Sequence, residues 1–176
     1  MTSLINPGIT FYRRMFSLLI APSSLLAEAL NKYLKREVKD VLIISGEVPL
    51  IRYQIQPGKF RLKTEKVSSG QEVYEVLQKA KESLILIEHD PTFYDYNADV
   101  IRTIGLLSRK MTAGNQTILL LGTRPDTWLN KFESYVHKIE NIEWTIQDKQ
   151  KSSLRSAMRC NQISLHEFIK TGSVLS

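Results

Sequence analysis

The chain has 176 residues, a formal net charge of +6, 43% hydrophobic and 24% charged residues, 8 Gly, 6 Pro and one cysteine. That length fits one ordinary domain of about 100–200 residues with a real core, and the composition excludes a largely disordered chain. The single Cys160 excludes an internal disulfide and fits a reducing compartment, while no apolar run approaches the roughly 18 residues of a membrane span. An intracellular protein, cytoplasmic or nuclear, is expected, and a pI near 9.4 favours acidic partners, nucleic acid first.

In chain order, the first strong element is the apolar run MFSLLI (15–20), followed by Leu26, Ala29, Leu30, Tyr33 and Leu34 at helical spacing, with Ser23 or Ser24 as the candidate N-cap. A second run, VLIISG (41–46), leads into IRYQIQPGKFRLK (51–63), whose alternation about Pro57-Gly58 predicts a hairpin or an extended excursion. Val73, Val76, Leu77 and Ala80 predict a second helix, preceded by Ser69 and Glu72 at capping-box spacing. The third run, SLILIE (83–88), is followed by the stripe Val100, Ile104, Leu107 and Met111, with Asn97 at its start and Gly114 in the left-handed position after its end. After the fourth run, TILLLG (117–122), Asp126 caps a helix containing Trp128 and Phe132.

YVHKIENIEWTIQD (135–148) reads as two short strands around Asn141, added antiparallel at a sheet edge. Beyond it, KQKSSLRSAMRCNQISLHEF fits helix or strand equally. The four apolar runs are nearly continuous rather than alternating, as in strands covered on both faces of a parallel sheet. The expected fold is therefore α/β, a single domain with a mainly parallel central sheet flanked by helices and antiparallel edge strands near the C-terminus. Its core spans about residues 15–147, followed by a basic extension over 148–176.

Ligands of open parallel sheets sit beyond the carboxyl ends of the strands. Here those ends are Ala21-Pro22-Ser23-Ser24, Ser45-Gly46-Glu47, Glu88-His89-Asp90 and Gly122-Thr123-Arg124. A phosphate loop needs glycines whose successive N–H groups curl around phosphate, a lysine, and a hydroxyl for magnesium. The first loop has two serine hydroxyls and a free helix N-terminus but no glycine or lysine, and the first charged side chain beyond it is Glu28. Ordinary magnesium-nucleotide binding is not expected, and Ser23 and Ser24 read first as helix caps.

Glu88 or Asp90, closing a buried strand, has the placement of a carboxylate that holds magnesium or water in nucleotide hydrolases, and Glu47 that of a water-activating partner. Without a phosphate loop, none of them can run that reaction. His89, His137, His166 and Cys160 lack metal-ligand spacing, and no GxSxG or HExxH motif is present, so neither a metal nor a cofactor is expected. A small-molecule enzyme using Glu47, His89 and Asp90 is the reading that a shared pocket would favour.

Two basic regions point to phosphate contacts. Arg52, Lys59, Arg61 and Lys63 interleave with Tyr53 and Phe60, a pattern suited to single-stranded nucleic acid, although on an alternating strand the aromatics serve equally as core. Lys149, Lys151, Arg155 and Arg159 form the densest basic stretch of the second half, among serines and amides. Arg124 adds a contact at the ligand-facing rim. Each group is weighed evenly against a solvated surface.

The succession FSLLIAPSSLLAEALNKYL, VLIISGE, SLILIEHD and TILLLGTR resembles the RecA/RadA/KaiC-like ATPase core, in which successive strands carry the phosphate loop, a Gly-Glu motif, the Walker B carboxylate and a polar sensor. VHKIENIEWTIQ looks like that family's late antiparallel strands. Its lysine and hydroxyl ligands have no counterpart in IAPSSLLAE, and Glu88 stands where Asp is usual. The resemblance implies a degenerate recombinase paralogue that keeps the fold, lacks ATP turnover, and binds DNA or a RecA/RadA-type recombinase in repair or recombination. It also implies DNA-contacting loops at Glu88 to Asn97 and Gly122 to Trp128. A regulatory protein-interaction module on the same scaffold, acting alone or as an oligomer, is the alternative.

Overall fold

Continuous apolar runs can be buried only if both faces of the sheet are covered, and the computed structural model does this with helices on one face and a helix plus a small hairpin on the other. It describes residues 3–6, 9–37, 40–94 and 98–142. All of these lie within one compact unit, Met1–Ile146.

The elements are β1 (Ser3–Asn6), β2 (Ile9–Phe11), β3 (Phe16–Ile20), α1 (Ser23–Glu37), β4 (Asp40–Ser45), β5 (Arg61–Lys66), α2 (Gly70–Lys79), β6 (Leu84–Glu88), α3 (Ala98–Ala113), β7 (Thr117–Gly122), α4 (Thr127–Phe132) and β8 (Lys138–Asn141). Two 3-10 turns, Arg52–Gln54 and Pro91–Tyr94, lie in the loops after β4 and β6. Six strands form one sheet in the order β5-β4-β6-β7-β3-β8, every neighbouring pair parallel. The α/β architecture with a parallel central sheet flanked by helices is the one the apolar runs predict.

Alternate residues along each inner strand feed opposite faces. Leu18, Leu42, Ile44, Ile85, Ile87 and Leu120 pack with the inner stripes of α2, α3 and α4. Leu19, Ile43, Leu86 and Leu119 pack instead with Leu26, Leu30 and Tyr33 of α1 and with Ile9 and Phe11 of the hairpin. Each fully buried aliphatic side chain contributes about 1.5–3 kcal/mol. The β1–β2 hairpin, antiparallel with Ser3 opposite Phe11, lies upstream of the expected core and had no signal in the pattern. Phe11 stacks on Tyr33 at 4.7 Å between ring centroids, which ties it to α1.

Three expectations are corrected. Of the two alternatives for segment 51–63, the hairpin is not formed and the chain makes an excursion: after the first 3-10 turn and an irregular stretch, β5 pairs parallel with β4, Asp40 opposite Arg61. The late edge strand is parallel too, with β8 paired to β3 and Ser17 opposite Lys138. α4 lies between β7 and β8, and such a crossover returns the chain to the same end of the sheet, whereas an antiparallel neighbour follows a tight turn. The residues expected to form a second late strand lie outside those described, as does Asn97. Thirdly, the left-handed residue after α3 is Asn115, with φ of 78°, and not Gly114. Asn is the non-glycine residue that best tolerates that conformation.

Candidate functional site

The carboxyl ends of β3, β4, β6 and β7 come together at one rim, so the sequence-predicted residues can be followed individually. Ser23 and Ser24 open α1, where the Pro22 carbonyl accepts from the N–H groups of Leu25 and Leu26 at 3.0 Å each. The helix begins directly after the strand, with Ala21 N–H donating to the Gly122 carbonyl at 3.0 Å. The amides of Ala21, Leu25 and Leu26 are thus drawn onto the neighbouring strand and into the helix.

Glu88 is only 6% exposed, and both of its carboxylate oxygens accept hydrogen bonds from the protein. Oε2 accepts from Leu50 N–H at 2.8 Å, and Oε1 accepts from Ile51 N–H at 3.2 Å and Arg52 N–H at 2.7 Å. Three successive amides converge on one anion, at the head of the first 3-10 turn, where unpaired N–H groups would otherwise be left. The carboxylate therefore organises the loop after β4. Gln54 reinforces that loop, its side-chain amide donating to the Leu50 carbonyl at 2.7 Å, and Asn31 of α1 bonds Gln54 O at 2.8 Å and Gln56 N–H at 2.8 Å.

His89 carries two partners. Its Nε2 lies 2.6 Å from Asp126 Oδ2 and its Nδ1 3.2 Å from the Tyr94 hydroxyl. The arrangement that satisfies every atom with a neutral ring has Nε2–H donating to Asp126 and Tyr94 O–H donating to Nδ1. Both ring nitrogens then have partners within the protein. Asp126 also caps α4, accepting from Trp128 N–H at 2.9 Å and Leu129 N–H at 2.8 Å. Its partial desolvation raises its pKa, but the bonds from Leu129 and His89 outweigh that and hold the carboxyl below its ordinary value. Burial pushes the Tyr94 phenol far above its ordinary value, with the charges of Asp126 and Asp90 adding to the effect.

Asp90 turns back on its own loop, Oδ1 accepting from Thr92 N–H at 3.0 Å and from the Thr92 hydroxyl at 2.7 Å. It lies so close to Gly46 that a Cβ there would collide with the carboxylate. Glu47 points elsewhere, forming an exposed ion pair with Lys66 at 2.7 Å. The cavity at this rim is about 30 Å³, lined by Gly46, Glu88, His89 and Asp90 among others but not by Glu47. That is room for about one water molecule. The shared pocket that a reaction using Glu47, His89 and Asp90 requires is not formed.

The basic residues divide. Arg61 pairs with Asp40 at 2.6 Å and Lys63 with Glu65 at 3.1 Å, so each has an acidic neighbour on the exposed β5 edge. Arg52 lies 5.7 Å from the centre of the Tyr53 ring, which is 78% exposed. Phe60 packs against the core, so the two aromatics of this segment play different parts. Lys59 and Arg124 are exposed. Lys149, Lys151, Arg155 and Arg159 lie outside the described residues.

Sequence reasoning missed Tyr94, the pairing of His89 with Asp126, and the triple amide contact of Glu88. Only Asp126 carried a signal, as a cap. Among the described residues no group of three or more His, Cys, Asp or Glu is arranged to hold a metal ion, and no helix is long and apolar enough to cross a membrane. Comparison with protein-family models and with curated proteins gives no match.

Proposed function

We propose that the chain is a non-catalytic RecA-like protein that binds DNA, a RecA/RadA-type recombinase, or both, in repair or recombination inside the cell. The observation that supports the non-catalytic part is Glu88: the carboxylate at the Walker B position accepts from three backbone amides and is used to hold the loop after β4. The four strand ends named by the resemblance share one rim of one parallel sheet, which supports the RecA-like reading. DNA contact is assigned to Arg52 and Arg124 at that rim, to Lys59 ahead of β5 at the other end of the sheet, and to Lys149, Lys151, Arg155 and Arg159. Arg61 and Lys63 contribute less, because each already has an acidic partner.

The test is titration of the full chain with single- and double-stranded oligonucleotides at two salt concentrations, with and without ATP. Binding should weaken steeply with salt, by about 0.9 logarithmic units per neutralised phosphate per decade for duplex DNA. ATP should change nothing. A flat salt dependence, or no binding at low salt, overturns the DNA reading; an ATP-dependent change overturns the non-catalytic one.

A further inference from the structure

Among the described residues β5 is the last strand of the sheet, bonded to β4 on one side only. Its register with β4 runs unbroken from Asp40 opposite Arg61 to Ser45 opposite Lys66, with neither a bulge nor a proline to blunt the edge. The Val67 N–H donates to the Ser45 carbonyl at 3.0 Å, and the backbone groups of successive residues on a strand point to opposite sides. Arg61, Lys63 and Glu65 therefore bond β4 through their backbones, while the N–H and C=O groups of Leu62, Thr64 and Lys66 point away from the sheet. Grooves lie open on both flanks of the strand, one between Lys63 and Val76 of α2, the other beside Leu62 and Lys81. Leu62 is 43% exposed on this edge.

We infer that β5 pairs antiparallel with β5 of a second copy of this chain, across a two-fold axis at Thr64, and so joins two sheets into one. The occupant follows from the strand's own sequence, RLKTEK, which complements itself in this register. With Thr64 opposite the partner's Thr64, Leu62 falls opposite the partner's Lys66, and every outward N–H and C=O group of the strand meets a counterpart. Between them Lys63 stands opposite the partner's Glu65 and, by the symmetry of a two-fold interface, Glu65 opposite the partner's Lys63. Lys63 and Glu65 already pair within the strand at 3.1 Å, so the charges alternate in sign both along and across the two strands. Thr–Thr and opposite-charge pairs are favourable cross-strand neighbours. Sliding the partner by two residues sets Lys63 against the partner's Lys63, or Glu65 against the partner's Glu65, and leaves outward backbone groups unmet. In the matched register Leu62 is covered by the aliphatic stem of the partner's Lys66. Charges on an edge strand ordinarily turn incoming strands away, and here their alternation admits the strand of the same sequence. The inference uses neither DNA binding nor the rim.

The experiment is sedimentation equilibrium of the full chain, free of nucleic acid, from micromolar to near-millimolar concentration. A strand-pair interface lies at the small end of the specific range, so the wild type should form a weak dimer with a dissociation constant on the order of 10 µM. Lys63→Glu sets acidic side chains opposite each other on both sides of the axis, and Glu65→Lys sets basic ones there. Each variant alone should dimerise at least about tenfold more weakly than wild type. Mixed in equal amounts, the two should associate with each other about as tightly as wild type, because opposite signs then meet again at every pair. Leu106→Ser, at an exposed leucine on α3, is the control and should change nothing. Circular dichroism and the urea midpoint establish that each variant is folded, exposed substitutions of this kind leaving stability nearly unchanged. A wild type that stays monomeric at every concentration overturns the inference. So does a dimer that either charge variant leaves intact or that Leu106→Ser weakens, which puts the interface elsewhere, and so do charge variants whose mixture stays monomeric.

Discussion

If Glu88 is a structural anion, Glu88→Gln should destabilise the protein although it removes only a charge and hardly changes volume. With the amide carbonyl at the Oε1 position, Ile51 and Arg52 N–H keep an acceptor, now neutral. The Leu50 N–H, 2.8 Å from Oε2, then faces an NH2 group and has no acceptor. A bond to a charged group is worth roughly 1.5–3 kcal/mol against 0.5–1.5 for a neutral one, and a buried donor left unpaired costs about 1–3. Leu50 is half exposed and water can partly replace the lost acceptor, so the net loss should be about 2–3 kcal/mol. With a urea slope of about 2 kcal/mol/M, the midpoint falls by about 1–1.5 M. Native-state hydrogen exchange should also show faster opening at the amides of residues 50–52. A catalytic carboxylate behaves the other way, since its removal commonly leaves stability unchanged or raises it. An unchanged or higher midpoint for Glu88→Gln would therefore refute the structural assignment and restore Glu88 as a working residue.

Gly70→Ala should cost about 1–3 kcal/mol by overpacking, because a Cβ there would sit 2.6 Å from the Phe93 carbonyl oxygen and closer still to Val100; thermal or urea unfolding measures it, and a neutral result would mean the α2–α3 contact is loose. Asp126→Ala should cost about 1–2 kcal/mol at pH 7 through the lost cap and the lost His89 partner. The Asp126 pKa is lowered on folding, so its stabilisation is present above the unfolded value near 4 and disappears as pH falls through the lower folded value; urea midpoints of wild type and variant should converge below about pH 4. Glu140 behaves oppositely: desolvation raises its pKa despite the Thr10 N–H bond and Lys138, so its contribution is greatest below the unfolded value and lost as pH rises through the folded one. Glu140→Gln, which resembles the protonated form, should be at least as stable as wild type at pH 7 and lose that advantage in acid, and a clear loss at neutral pH would contradict the assignment.

The inner strands were legible because burial on both faces leaves one message at every position, and Leu84 to Ile87 can say only that they are covered. Helices α1 to α4 were legible through their stripes, and Ser69 and Asp126 through caps whose bonds lie within three residues. What escaped depends on residues distant in sequence. The hairpin at β1 and β2 is fixed by Phe11 against Tyr33 and by Thr10 N–H against Glu140, contacts that no local window contains. β5 carries an exposed, charged edge, RLKTEK, whose alternation equally suits a hairpin arm. The same limit applies at the rim. Glu88, His89 and Asp90 stood out as a cluster, but their partners lie at Leu50 to Arg52, at Asp126 and Tyr94, and at Gly46.

Those partners decide the chemistry. A carboxylate at the end of a buried strand is a reactive group only if something leaves its lone pairs open to a substrate or metal. At this rim each candidate is engaged within the protein: Glu88 by three amides, Asp90 by Thr92, Asp126 by α4 and His89, and Glu47 by Lys66. Such groups make loops rigid. The loop that Glu88 holds has Ile51 as its buried anchor, so the most buried carboxylate of the rim is spent on shaping the chain after β4.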